Sequence, residues 1–211
     1  MTGGALHGCR LVAGMATGML IAAMAHAADP ADKDWPCQQR KVPVISAGQV
    51  WAGPPLDAIG DRWRDDPVIA KLAQQITARR TDMEQVKKLV ADFAGSAGAA
   101  KNDRLTALAA GMLSILNRER ASVIAGIGRY AKRQQALAEK IEKQTAELQA
   151  LPADSSEVRQ SQRADLQEIQ TWDTRIFQER EQALTYVCEV PVELERRAFA
   201  LGREIGSHLD P

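Results

Sequence analysis

The hydrophobic pattern of the chain is mirrored about Pro152. Leu148 with Val158, Leu137 with Ile169, Tyr130 with Ile176, Met112 with Leu194 and Leu105 with Leu201 all fall at an index sum of about 306. Two antiparallel helices that each bury a stripe against the other need this symmetry. The pattern therefore predicts an all-α fold dominated by a long antiparallel helical hairpin, 103–151 and 154–209. Its turn is at Pro152, where Asp154 and, three residues on, Glu157 resemble a capping box for the return helix. The first of the two helices would extend roughly 73 Å at 1.5 Å per residue.

The width of the apolar face changes along that hairpin. From Leu105 to Tyr130 it covers more than one side of the helix, through Leu108, Met112, Leu113, Ile115, Leu116, Val123, Ile124 and Ile127. A wide apolar circumference needs more than one neighbour. Gly111, Gly126 and Gly128 lie in the same stretch, where close backbone approach or a bend is expected. Beyond Tyr130 only Leu137, Ile141, Leu148 and Leu151 remain, set among Lys, Glu and Gln. This narrow stripe predicts a coiled-coil arm over about 131–172, standing free of a broader base. On the return helix Val158, Leu166, Ile169, Trp172, Ile176, Ala183, Val187 and Val190 supply the matching stripe, and Leu194, Phe199, Leu201 and Ile205 resume it after Pro191. Pro191 removes one helical hydrogen bond, so a kink or a break is expected there.

Upstream, Asp66-Pro67 reads as a cap followed by proline at the first helical position. Ile69, Leu72, Ile76, Met83, Val86, Val90 and Phe93 then predict one amphipathic helix over 66–94, stopped at Gly95. This third helix is placed against the base. Residues 28–65 carry Pro30, Pro36, Pro43, Pro54 and Pro55 with Trp35, Trp51 and Trp63 among them. Such spacing argues for an extended, irregular segment whose indoles pin it onto the helices.

The amino terminus has a different pattern. Leu11–Ala25 is an unbroken run of small and apolar residues behind Arg10, closed by Ala25-His26-Ala27. It reads as a secretory signal peptide, residues 1–27, cleaved after Ala27. The competing reading is an uncleaved anchor, but the run covers only about 22 Å of helix against a hydrocarbon core of ~30 Å. The expected compartment is therefore the periplasm, with no membrane anchor left after cleavage.

Cleavage would remove Cys9 and leave Cys37 and Cys188, which in an oxidising compartment most simply pair with each other. Two separate thiols are the alternative. No C-x-x-C motif is present, so neither a redox pair of that type nor a c-type haem attachment is supported.

Composition agrees with a helical protein, being 45% hydrophobic but only 4% aromatic. Lys+Arg and Asp+Glu number 27 each, so no global field draws the chain to nucleic acid. The arm is balanced as well.

Candidate chemistry is sparse. His7 and His26 belong to the leader, which leaves His208, expected as a solvated tail residue. Walker A, G-x-G-x-x-G, H-E-x-x-H and EF-hand patterns do not occur. Asp61, Asp65 and Asp66 could bind a hard cation through oxygen, or else form an acidic cluster that complements a helix N-terminus. Glu119, Glu179 and Glu181 sit among arginines as expected ion pairs. No catalytic residues, metal or cofactor are assigned. The pattern suggests a non-enzymatic protein that binds an envelope or periplasmic partner through its arm. The alternatives are a periplasmic binding protein with a small apolar ligand, or a holdase using the apolar base.

Overall fold

The computed structural model describes residues 35–152 and 156–211. The expected signal peptide with its cleavage point at Ala27, and the turn residues 153–155 with Asp154, lie outside the described residues. The protein is all-α. A single turn, α1 (Ala47–Val50), is followed by α2 (Pro67–Thr77), α3 (Met83–Ser96), α4 (Lys101–Ala150) and α5 (Glu157–Gly206), with short 3-10 turns at Arg62–Arg64 and Gly98–Ala100. No strand occurs among the described residues.

The two long helices α4 and α5 form the antiparallel hairpin. At their proximal ends they share one core with α2, α3 and the proline/tryptophan segment. Leu105, Leu108, Met112 and Leu116 of α4 meet Leu194, Ala198, Leu201 and Ile205 of α5 there, with Ile69, Ile76, Val86 and Val90 closing the other side. All of these are essentially out of water. This wide apolar circumference is what the pattern over 105–127 predicted. Two indoles complete it: Trp51 and Trp63 are buried, while Trp35 is only half-buried and donates its N–H to the carbonyl of Gln39.

Two glycines permit the tight contacts. A Cβ on Gly111 would sit 2.9 Å from the Trp63 ring, and one on Gly202 would sit 1.9 Å from the Val50 carbonyl oxygen. Gly111 thus has the close approach expected of it. Gly128 has nothing within 4 Å of a built Cβ, and Gly126 meets only the flexible end of Arg129.

The helix expected over 66–94 is two helices. Asp66 caps α2, its carboxylate accepting from the N–H groups of Val68 and Ile69 at 2.8 and 3.3 Å. After Thr77 the chain turns, and Asp82 caps α3 by accepting from the Gln85 N–H at 2.8 Å. The carbonyls exposed by the interruption are collected by one side chain. Arg197 of α5 donates to the carbonyls of Ile76, Ala78 and Thr81 at 2.6 to 2.8 Å. Burial works against the charge of Arg197 and lowers its pKa, and Glu119 counters this.

Pro191 does not end α5. The helix runs through it, and Arg120, 4% exposed, lies against this point. Its guanidinium donates to the Pro191 carbonyl and to the Val42 carbonyl, and stands 3.6 Å from Glu195. The carboxyl end is held too. Asp210 pairs with Lys101 at 2.7 Å, and its N–H donates to Asn102 at 2.9 Å.

Candidate functional site

Cys37 and Cys188 are bonded, with Cα atoms 5.6 Å apart, within the range of an ordinary disulfide. The bond ties the start of the proline/tryptophan segment to α5 where the base gives way to the arm. Gln39, two residues on, donates its side-chain amide to the Cys188 carbonyl. This is a structural staple.

Distal to it the two helices are joined by a seam that mixes half-buried apolar residues, among them Leu137, Ile141, Leu166 and Phe177, with polar pairs. Asp173, buried in the seam, accepts from Gln144 at 2.7 Å and pairs with Lys140 at 2.8 Å. Gln170 donates to the Thr145 hydroxyl at 2.7 Å, and Gln134 to the Phe177 carbonyl at 3.1 Å. Near the tip Arg163 donates to the carbonyls of Leu148 and Leu151 at 3.2 and 2.9 Å, closing the exposed end of α4. The hydrogen bonds from Lys140 and Gln144 hold the Asp173 carboxyl below the ordinary carboxylate value, against the opposing effect of burial.

These pairings correct the expected register. Tyr130 reaches the Arg180 carbonyl, not Ile176, and the Leu148 carbonyl meets Arg163, not Val158. Across the seam the polar partner on α5 lies four to eleven residues further along than the mirror pattern placed it. On α4 Leu137, Ile141, Leu148 and Leu151 are half-buried as expected, and so are Leu166, Val187 and Val190 on α5, but part of the stripe assigned to α5 faces outward. Ile169 is 48%, Trp172 56% and Ile176 36% exposed, with Val158 and Tyr186 more than two-thirds exposed at either end.

The cause is the base. Leu194, Ala198, Leu201 and Ile205 are buried at alternating spacings of three and four. Continued backward along one rigid helix, the same spacing passes through Pro191, Val187, Leu184, Arg180, Phe177, Asp173, Gln170, Leu166 and Arg163. Apart from Arg180 these are buried or half-buried. The core of the base fixes the rotation of α5, and the arm accepts the face this leaves it. The sequence carried this signal in the heptad read back from Ile205. It was masked by a more hydrophobic stripe one residue away.

Ile169, Trp172 and Ile176 are the site. Their spacing of three and four puts them on one face of α5, flanked by Glu168 and Arg175. Arg175 lies over the Trp172 ring at 5.8 Å and pairs with Glu179 at 2.9 Å. Isolated surface apolar residues are ordinary, whereas these three stand together on one face with a half-exposed tryptophan among them.

The other candidates have structural roles. Asp66 caps α2 and pairs with Arg104 at 3.3 Å. Burial raises its pKa, but the N–H groups of Ile69 and Val68 and the Arg104 charge outweigh this and hold the carboxyl below its ordinary value. Asp61 pairs with Arg64, Glu119 with Arg79 and Glu179 with Arg175. Among the described residues no group of three or more His, Cys, Asp or Glu side chains converges as a metal site would require. His208 is not a solvated tail residue, because its ring stands 3.1 Å from Glu204 and is mostly shielded.

A second surface lies on the base. Trp51, Phe199, Gly202, Arg203 and Leu209 line a groove of about 510 Å³. Phe199 is nearly half exposed there, with the Arg203 guanidinium 4.9 Å from its ring centre. No protein-family model, curated protein or solved structure matches the chain.

Proposed function

We propose that this chain is an exported, non-enzymatic helical protein that acts as a protein-interaction module in the periplasm, seating its partner on the outer stripe of the arm. One observation carries the reading. The arm places Ile169, Trp172 and Ile176 in solvent while Gln134, Gln144, Gln170 and Asp173 occupy the seam between its helices. A helix face of this kind is suited to packing against another helix. Export is supported by the leader-like run ahead of Ala27 and by the pairing of Cys37 with Cys188. The non-enzymatic part is supported by the structural engagement of Asp66, Glu119, Glu179 and His208.

The test is a photo-crosslinking residue placed at position 172 or 176 in the cell, with position 143 on α4 as control. Adducts are expected from 172 and 176 and not from 143. Equal yields at all three, or none at 172, would remove the stripe as the docking face. A binding-protein reading is favoured by the groove beside Trp51. It requires a small apolar molecule to copurify with the protein, and Phe199→Asp to release it.

A further inference from the structure

We propose that the partner seated on the arm is a second copy of the same chain, lying antiparallel across a two-fold axis at Trp172. The inference rests on the reading of the stripe as a docking face and adds the identity of its occupant.

The order of the exposed apolar residues on α5 carries it. Val158, Ile169, Trp172, Ile176 and Tyr186 are all exposed, and they read almost the same in both directions. Turned end for end about Trp172, the stripe lays Val158 on Tyr186 of the second copy, Ile169 on Ile176, and Trp172 on itself, each within one residue of a common centre. A surface that meets itself across a two-fold axis must be self-complementary in this way. A stripe evolved for an unrelated helix has no such requirement.

Charge selects the direction. Glu168 and Arg175 flank the stripe on the same side, seven residues apart and nearly symmetric about Trp172. Antiparallel packing brings Glu168 against Arg175 of the second copy, twice by symmetry. Parallel packing would set Arg175 toward Arg180 of the other copy, a like pair, and would leave Glu168 without a partner, because the position it faces, Asp173, is buried. The antiparallel arrangement also sets Asp165 opposite Glu179, twice by symmetry, a like pair that works against it, and Arg175, which pairs with Glu179 at 2.9 Å in its own helix, is then shared between two carboxylates. Asp173 is turned inward and paired with Lys140. On association Arg175 exchanges its place over the Trp172 ring for the facing carboxylate.

The buried surface is modest. Ten large side chains, four of them aromatic, give an apolar interface on the order of 1,000 Å², the lower end of specific complexes. A reversible dimer is therefore expected, with dissociation in the micromolar range.

Sedimentation equilibrium of the protein expressed from its full coding sequence should show twice the monomer mass. Trp172→Asp should raise the dissociation constant at least roughly 100-fold without changing the helical circular dichroism, since the side chain is half exposed. Glu168→Arg should weaken the dimer roughly tenfold, and adding Arg175→Glu in the same chain should restore it. Trp172→Cys should cross-link to itself. Val158→Cys and Tyr186→Cys should cross-link only when the two variants are mixed, because like positions near the ends stand about 40 Å apart in this arrangement.

A chain that stays monomeric to about 100 µM overturns the inference. So does a dimer indifferent to Trp172→Asp, or a Val158→Cys variant that cross-links to itself. If the protein is monomeric while a photo-crosslinker at 172 captures a different protein, the docking face stands and the self-association falls. If position 172 captures nothing and no dimer forms, both fall.

Discussion

The base and the arm are built from the same two helices and solve opposite problems. In the base α4 and α5 meet through Leu105, Leu108, Met112, Leu116, Leu194 and Leu201, with polar groups confined to caps and clamps such as Arg197 and Arg120. In the arm polar pairs share the seam with half-buried Leu137, Ile141, Leu166 and Phe177, and other large apolar side chains, Ile169, Trp172 and Ile176, stand outside. The difference shows that a stable core can dictate the rotation of a helix well beyond its own limits. The arm presents an apolar face because the base has set which way α5 points.

The comparison breaks most easily in the base. Leu201→Ala or Leu108→Ala should lower stability by about 2–5 kcal/mol, since each truncates a fully buried side chain. Ile169→Ala on the outer stripe should stay within about 0.5 kcal/mol in the monomer. Urea denaturation followed by circular dichroism would measure both. Equal losses would mean that the arm stripe is covered in the monomer and that the contrast is false.

Removal of the disulfide comes next. Cys37→Ser with Cys188→Ser opens a loop with a sequence separation of 151 and should cost about 2–4 kcal/mol in unfolding experiments. The loss should be felt first where Trp35 and Gln39 rest on α5.

A third change should strengthen the weaker region. Replacing Gln144 and Asp173 together by Leu removes a desolvated polar pair from the seam, and such replacements are neutral or stabilising by about 1–4 kcal/mol. Hydrogen exchange of arm amides should slow while the base is unaffected. Faster exchange would show that the polar seam is the better packing.

The smallest effect is that of acid. The folded pKa of Asp173 is depressed by Lys140 and Gln144, so its stabilising contribution is complete above the unfolded value of about 3.9 and is lost as pH falls through the folded one. Arm amides should lose protection a few-fold between roughly pH 4 and pH 2, and Asp173→Asn should flatten that loss. Asp66 is depressed as well, so α2 amides should respond in the same range through a different residue.

Much of this architecture was legible in the sequence. Helix-favouring composition, the wide apolar band over Leu105–Ile127 and the turn at Pro152 sufficed for the hairpin and its base. The two cysteines left beyond Ala27 are bonded to each other. The register was not legible from hydrophobicity, because α5 carries two stripes one residue apart in the arm. The more apolar one, Ile169, Trp172 and Ile176, is the outer one. Only the rigid continuation of the helix from the base decides between them, and a mirror pattern weighs each pair locally. The break between α2 and α3 had a signal in Asp82 followed by Gln85, an N-cap with its acceptor and donor in place. The apolar periodicity passed over it. Arg197 gave none, since its carbonyl partners lie 116 to 121 positions away in the chain.

The bond between Cys37 and Cys188 also has a mechanical meaning. A pull applied to the two ends of the chain would pass from residue 37 straight to residue 188 through sulfur, bypassing everything between them. Tension could unravel the stretch after Cys188. It could not draw out α2, α3, α4 or the arm, which would remain slack and folded inside a covalent ring.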